Sequence, residues 1–302
     1  MAATTVVVCC LFNPCGYAAL TANYHRFRRA LPRAPLLSVE LVYPGQSPAL
    51  QGEGVLHVHG GDVLWQKERL LQIGIEHALA QGYREIIWAD ADLVFQAPDW
   101  LTRVRAALRT HDVVQAFSSL SADYADQRRH SRSPTWDFVH TGRITGGVVG
   151  GAWAARAEFL EAVPLYQHDV IGGGDFLFWA GCLLGTLSWP QWRQIVEARW
   201  VHRVKSAPAW AHYLEWAAGL PAALTRGLGV VPGHAHSYGH GDYANRRYVE
   251  RHDLVRDYDP YRDVRAAPGQ AFYWASNKPQ MQRAVASYFA GRAEDAPAQP
   301  SS

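Results

Sequence analysis

Residues 85–95 read EIIWADADLVF. Glu85 to Ala89 is a short, continuous apolar run, which predicts a strand buried on both faces. It delivers Asp90 and Asp92 at its C-terminal end. Carboxylates two positions apart on an extended chain project to the same side. Such a pair can share a hard divalent cation, which prefers oxygen ligands and bridges a diphosphate. The plainer alternative is two acids that only solvate a strand end.

Working outward, Val6–Phe12, Leu36–Tyr43, Val55–Val58 and Asp112–Phe117 also read as strands. Between them, residues 17–31, a segment from an Asp62 cap to about Gln81, and residues 100–109 carry helical spacing. Alternation of this kind predicts an α/β fold with a mostly parallel, Rossmann-like sheet flanked by helices. Ligands of such sheets bind beyond the carboxyl ends of the strands. That rule places Phe12, Asn13, Glu40, Asp90 and Asp92 on one rim, with Glu40 able to meet a ribose or base edge.

Further along, residues 121–143 are polar, with little periodicity, and read as a long loop. Arg128, Arg129, His130 and Arg132 form a basic cluster within it, and Arg26, Arg28 and Arg29 form another. Both suit a phosphate-rich acceptor or an ordinary surface. A Gly-rich stretch, 146–151, precedes Ala152–Glu161, which has helical character. Gly172, Gly173 and Gly174 lead into Asp175 and a helix to about Leu184, and 189–225 carry Trp at helical spacing. Asp175 is a candidate general base for an attacking hydroxyl, or a plain helix cap. Residues 233–241, GHAHSYGHG, hold three histidines; His236 or His240 could complete a metal site with the Asp pair, or the stretch is a polar Gly loop. Lys67 and Arg69 could reach a phosphate or stay solvated.

Composition is that of a globular chain of 302 residues with formal charge +2, which neither demands nor excludes a polyanionic partner. Four cysteines, Cys9, Cys10, Cys15 and Cys182, show no metal or disulfide spacing. They suit reduced thiols in a cytoplasmic setting. No segment approaches the roughly 20 apolar residues of a membrane span, so a soluble protein is expected.

Taken together, FNPCGY (12–17), LLSVEL (36–41), GGDVLWQKERLL (60–71) and IIWADADLVF (86–95) stand in a recognisable order. GGAWAARAEFL (150–160), LYQHDVIGGGD (165–175), GHG (239–241), NRRYVER (245–251), DPYRDV (259–264) and KPQMQRAVASYF (278–289) continue it. The series resembles a bacterial and phage family of GT-A-type, family 2-like glycosyltransferases, over about residues 6–292.

The resemblance implies one GT-A domain over 1–292: a nucleotide-sugar-binding half (1–120), an acceptor and catalytic half (121–245) and a helical C-terminal extension (246–292). Residues 293–302 would be a disordered tail. It implies a nucleotide-sugar donor, UDP-linked for preference, and Mn²⁺ or Mg²⁺ on Asp92, with Asp90 on ribose or metal. His240 or His236 would complete the metal site, Asp175 would be the base of an inverting transfer, and Phe12, Asn13, Glu40 and Lys67 would line the donor site. GGGD lacks the acid that related sequences often carry before the base Asp. The acceptor expected first is a hydroxymethylated pyrimidine in phage DNA, and second a cell-surface glycan. A metal-dependent nucleotidyltransferase or hydrolase, and a non-catalytic sugar-nucleotide-binding module, are the readings from other classes.

Overall fold

The computed structural model describes residues 4–31, 34–200 and 206–295. The strands are β1 Thr5–Phe12, β2 Leu36–Val42, β3 Val55–His59, β4 Glu85–Ala89, β5 Leu93–Phe95, β6 Val113–Gln115, β7 Ser119–Asp123, β8 Arg128–Arg132, β9 Ala152–Arg156, β10 Leu228–Val230, β11 His234–Ser237, β12 Val264–Arg265 and β13 Tyr273–Trp274. The helices are α1 Ala18–Ala30, α2 Lys67–Ala80, α3 Trp100–Ala107, α4 Pro134–Thr141, α5 Ala157–Ala162, α6 Gly174–Leu184, α7 Trp189–Trp200, α8 Ala207–Ala217, α9 Leu220–Ala223 and α10 Pro279–Gly291.

Seven strands form the main sheet in the order β10-β6-β9-β4-β1-β2-β3. All its pairings are parallel except those of β9, which runs antiparallel to β4 and β6. This is the mostly parallel, helix-flanked sheet that the alternation predicts. Val6, Val7, Val8 and Cys9 on β1 are at most 1% exposed, because both faces of the strand are covered. Cys9 and Cys10 point to opposite sides, one at Ser38 and the other at the Lys67 carbonyl, and all four thiols are free. No helix among the described residues is long and apolar enough to cross a membrane.

Four segments depart from the expectation. Residues 152–156 are a strand, because Ala152–Ala155 are completely buried between β4 and β6. Tertiary burial there overrides the helix propensity of Ala, and only Ala157–Ala162 is helical. Residues 121–143 are no loop: they hold the end of β7, then β8 and α4. The histidine-rich stretch contributes β11, which joins β5, β7 and β8 in a second sheet, order β5-β11-β7-β8. Asp62 caps nothing; it accepts the Trp274 N–H, while Gln66 bonds Phe272 in both directions. These contacts tie 62–66 to the β12–β13 ribbon, and α2 begins only at Lys67.

The C-terminal extension returns to the first strand. Phe289 on α10 packs edge-on against Phe12 and tilted against Trp65, and the Tyr17 hydroxyl donates to the Ala290 carbonyl at 2.7 Å. Of the disordered tail expected over 293–302, residues 293–295 are described and Glu294 is buried in ion pairs, while 296–302 lie outside the described residues.

Candidate functional site

A cavity of about 580 Å³ opens beyond the carboxyl ends of β1 and β4. The second sheet and the C-terminal segment wall it on the other sides. Phe12, Asn13, Lys67, Asp90, Asp92, Asp175 and His240 all line it. The Asn13 side chain is spent on the turn into α1, giving and taking one hydrogen bond each with the Tyr17 backbone.

Lys67 stands at the centre of one half. As the first residue of α2 it is only 8% exposed, and its ammonium lies 2.5 Å from Asp90 Oδ1 and 2.7 Å from Asp175 Oδ2. Burial alone would lower its pKa, but the charges of Asp175 and Asp90 outweigh that and hold it well above the usual lysine value. Asp90 is pushed up to about 6: desolvation leads, opposed by Lys67 and reinforced by Asp175 and Asp92. Asp175 sits in the first turn of α6, aimed by Gly172 and Gly173, whose φ angles of +92° and +140° glycine tolerates. The plain cap role fails, because the N-cap is Gly173 with no side-chain bond. Asp175 Oδ1 has no hydrogen-bond partner among the described residues, and the helix dipole favours its negative charge.

Beneath this group the Glu68 carboxyl lies where a side chain at 174 would be; a Cβ there would meet its Cδ at 2.3 Å. Burial, eased by Lys67 and worsened by Asp175 and Asp169, pushes Glu68 up to about 8. The missing acid in GGGD therefore has a steric reason.

Asp92 anchors the other half. Its Oδ2 accepts from Ser237 Oγ at 2.9 Å and faces His240 Nε2 at 3.2 Å. His240 Nδ1 is held by Glu294, a residue 2% exposed. Burial opposes ionisation of Asp92, yet the bonds from His240 and Ser237 and the charge of Arg246 hold its pKa below the usual carboxylate range. For His240, burial and Arg246 push down, but the bonds to Asp92 and Glu294 win and raise it.

These residues fit a divalent cation. His240 Nε2 faces the Asp92 oxygen, and either a proton on that nitrogen or a cation between the two makes the contact favourable; Arg246 Nη2 also lies 3.2 Å from Nε2. Adjacent ligands on bonds of about 2.1 Å sit roughly 3 Å apart, close to the observed spacing. A carboxylate behind the other ring nitrogen is the usual support of a ligating histidine. Among the described residues no group of three or more His, Cys, Asp or Glu side chains is placed to hold a metal ion by itself. An open site of this kind leaves room for phosphate oxygens and water.

The structure also separates residues that spacing alone groups together. His236, one position from Ser237 on β11, faces away from Asp92 and pairs with Asp123 at 3.0 Å. Strand parity thus turns His236 away, and His240, past the end of β11, is the histidine that faces Asp92. Glu40 is a further correction: it is 4% exposed, and its oxygens accept the Ala49 and Leu50 N–H groups, with His57 at 3.2 Å. The 44–54 loop folds over it, so it is a structural clamp away from the cavity lining. Arg128 and Arg132 pair with Asp123 and Asp137, while Arg129, of opposite parity on β8, lines the cavity with its guanidinium 4.3 Å from the centre of the Tyr243 ring. Arg69 reaches backbone carbonyls of Ala267 and Gln270 instead of a phosphate.

Sequence reasoning missed Glu294, Arg246, Arg251 and Arg292, all of which line the cavity. The only signal for two of them was the basic run NRRYVER; Glu294 stood in a stretch expected to be disordered.

No family model and no curated protein matches the chain in sequence. Among solved structures, it is similar to the catalytic domain of Drosophila β1,4-galactosyltransferase 7 with xylobiose, at 14% identity, covering 58% of this chain and 59% of that one, with TM-score 0.35. Glucosyl-3-phosphoglycerate synthase from Mycobacterium tuberculosis, with Mn²⁺, UDP and phosphoglyceric acid, gives 12%, 77%, 69% and 0.38. A putative nucleotide-diphospho-sugar transferase from Desulfovibrio desulfuricans gives 11%, 84%, 95% and 0.33. The chain thus spans about three-fifths of the length of the galactosyltransferase domain.

Proposed function

We propose that this chain is a metal-dependent, inverting glycosyltransferase that moves a sugar from a nucleotide-sugar, UDP-linked for preference, to an acceptor hydroxyl. The observation that carries the reading is the Asp92–His240 pair, 3.2 Å apart at the strand rim and backed by Glu294, opposite a second carboxylate group at Asp90 and Asp175. A divalent cation on Asp92 and His240 would stabilise the charge developing on the leaving diphosphate. Asp175 takes the acceptor proton through its unbonded Oδ1. Lys67 fixes the direction of that carboxylate and keeps Asp90 from repelling it. The ordered pair of acids and the separate base favour turnover over a binding module.

Within this reading the acceptor is a hydroxymethylated pyrimidine in DNA. Arg129 in the cavity wall and the Tyr124, Tyr243 and Tyr248 rings around it offer charge and stacking faces for an extruded nucleotide. A glycan acceptor would use the same rings.

The test is calorimetric titration of UDP with and without Mn²⁺. Wild type is expected to bind UDP in a Mn²⁺-dependent way, and Asp92→Asn to lose that dependence. Metal-independent binding equal in both proteins would sink the reading. Incubation with nucleotide sugars and hydroxymethylated DNA, read by nucleoside mass spectrometry, then decides the acceptor; an unmodified nucleoside with every donor would remove DNA.

A further inference from the structure

Three arginines on the C-terminal wall are buried: Arg246, Arg251 and Arg292 are 8%, 5% and 7% exposed. Glu294 pairs with two of them, with Arg246 at 3.0 Å and with Arg292. Arg251 has no carboxylate in ion-pair range among the described residues. Its guanidinium donates to the Tyr288 hydroxyl at 3.2 Å and the Gly172 carbonyl at 2.9 Å, and lies 5.0 Å from the Tyr248 ring centre and 5.6 Å from that of Trp65. Its Nε is buried without a partner.

A buried guanidinium without a counter-charge is unfavourable, and neutral acceptors and ring faces offset only part of that. Arginine's planar fork matches the oxygens of a phosphoryl group. The position also matters. Gly172, whose carbonyl Arg251 holds, belongs to the turn that aims Asp175. Arg246 and Arg292 share the single carboxylate of Glu294. Arg251, with no carboxylate of its own among the described residues, is thus tied through Gly172 to the turn that carries the base.

We propose that Arg251 is the receptor for a phosphoryl group carried by the acceptor, held so that a hydroxyl of the same molecule reaches Asp175. The proposal deepens the glycosyltransferase reading and rests on it. A phosphoryl oxygen at Arg251 could come from the acceptor or from the donor diphosphate, and one experiment separates the sources. Inorganic phosphate is titrated calorimetrically into the full chain, alone and after saturation with UDP and Mg²⁺.

The expected result is that phosphate binds with UDP present. Arg251→Gln should weaken phosphate roughly tenfold or more while UDP affinity holds. Arg251→Lys, which keeps the charge without the fork, should fall between; it carries the test if the Gln variant does not fold in a thermal melt. Phosphate that binds only when UDP is absent assigns Arg251 to the donor and overturns the proposal. So does wild type that takes up no phosphate, or variants that bind it unchanged. The UDP titration reports separately: phosphate bound without any UDP binding would remove the donor reading and leave the anion site standing.

Discussion

At the scale of single residues, Asp175 carries the strongest prediction. Lys67 holds one of its oxygens, and no hydrogen-bond donor among the described residues holds the other. Asp175→Asn should leave UDP–Mn²⁺ affinity nearly unchanged and cut turnover by about 10²–10⁴-fold, the usual contribution of a positioned general base. A variant that turns over at the wild-type rate would place the base elsewhere, and the anomeric configuration of the product would then have to be read again. Asp90, Asp92 and Asp175 were legible in sequence because short motifs at strand and helix ends carry them. The choice between His236 and His240 was not, since it depends on which face of β11 meets Asp92. Glu294 and Arg251 were equally hidden: their partners His240 and Gly172 lie 54 and 79 positions away. Glu40 misled for a related reason, because a strand-end carboxylate looks the same whether solvent, ligand or a returning loop covers it.

Among the elements, α2 decides where Lys67 stands, and Gly74 decides how closely α2 sits on the sheet. A Cβ at 74 would lie 2.5 Å from Val8 Cγ1 and 3.0 Å from Val39 Cγ2. Both neighbours are β-branched and fully buried, so they have little room to give. Gly74→Ala should therefore destabilise the fold by about 1–3 kcal/mol despite the better helix propensity of Ala; equilibrium urea unfolding measures it, and an unchanged or raised midpoint would show that the sheet yields. β1, β2, β3, β4 and β6 were readable because burial leaves apolar runs, whereas the three-residue β10, parallel to β6, was not read as a strand. β9 was not, since Ala-Trp-Ala-Ala carries no strand signature beyond its burial. β8 escaped because polar and charged side chains occupy both of its faces, and β7 because its apolar face is only Leu120 and Ala122.

For the molecule as a whole, the C-terminal segments are bound to the sheet domain by uncharged as well as charged contacts, and this sets its response to acid. His168 packs against His212 and Phe272, with ring centres 4.3 and 5.1 Å away. Burial first, then the charges of His212 and Arg69, depress its pKa from 6.5 to about 3. The unfolded chain therefore binds this proton before the folded one does. Stability should be fully present above pH 6.5 and decline as pH falls toward 3, by at most about 1.4 kcal/mol per pH unit for this group. Thermal melts of wild type and His168→Phe between pH 7 and 4 check it. The variant should lose less stability on acidification, and parallel curves would remove His168 from the account. One consequence follows from Glu294 standing behind His240. The ribosome makes the two aspartates of the rim some two hundred residues before the carboxylate that orients their histidine partner. The central sheet can therefore form before that carboxylate exists, and the Asp92–His240 arrangement is set only once residue 294 has returned to the rim.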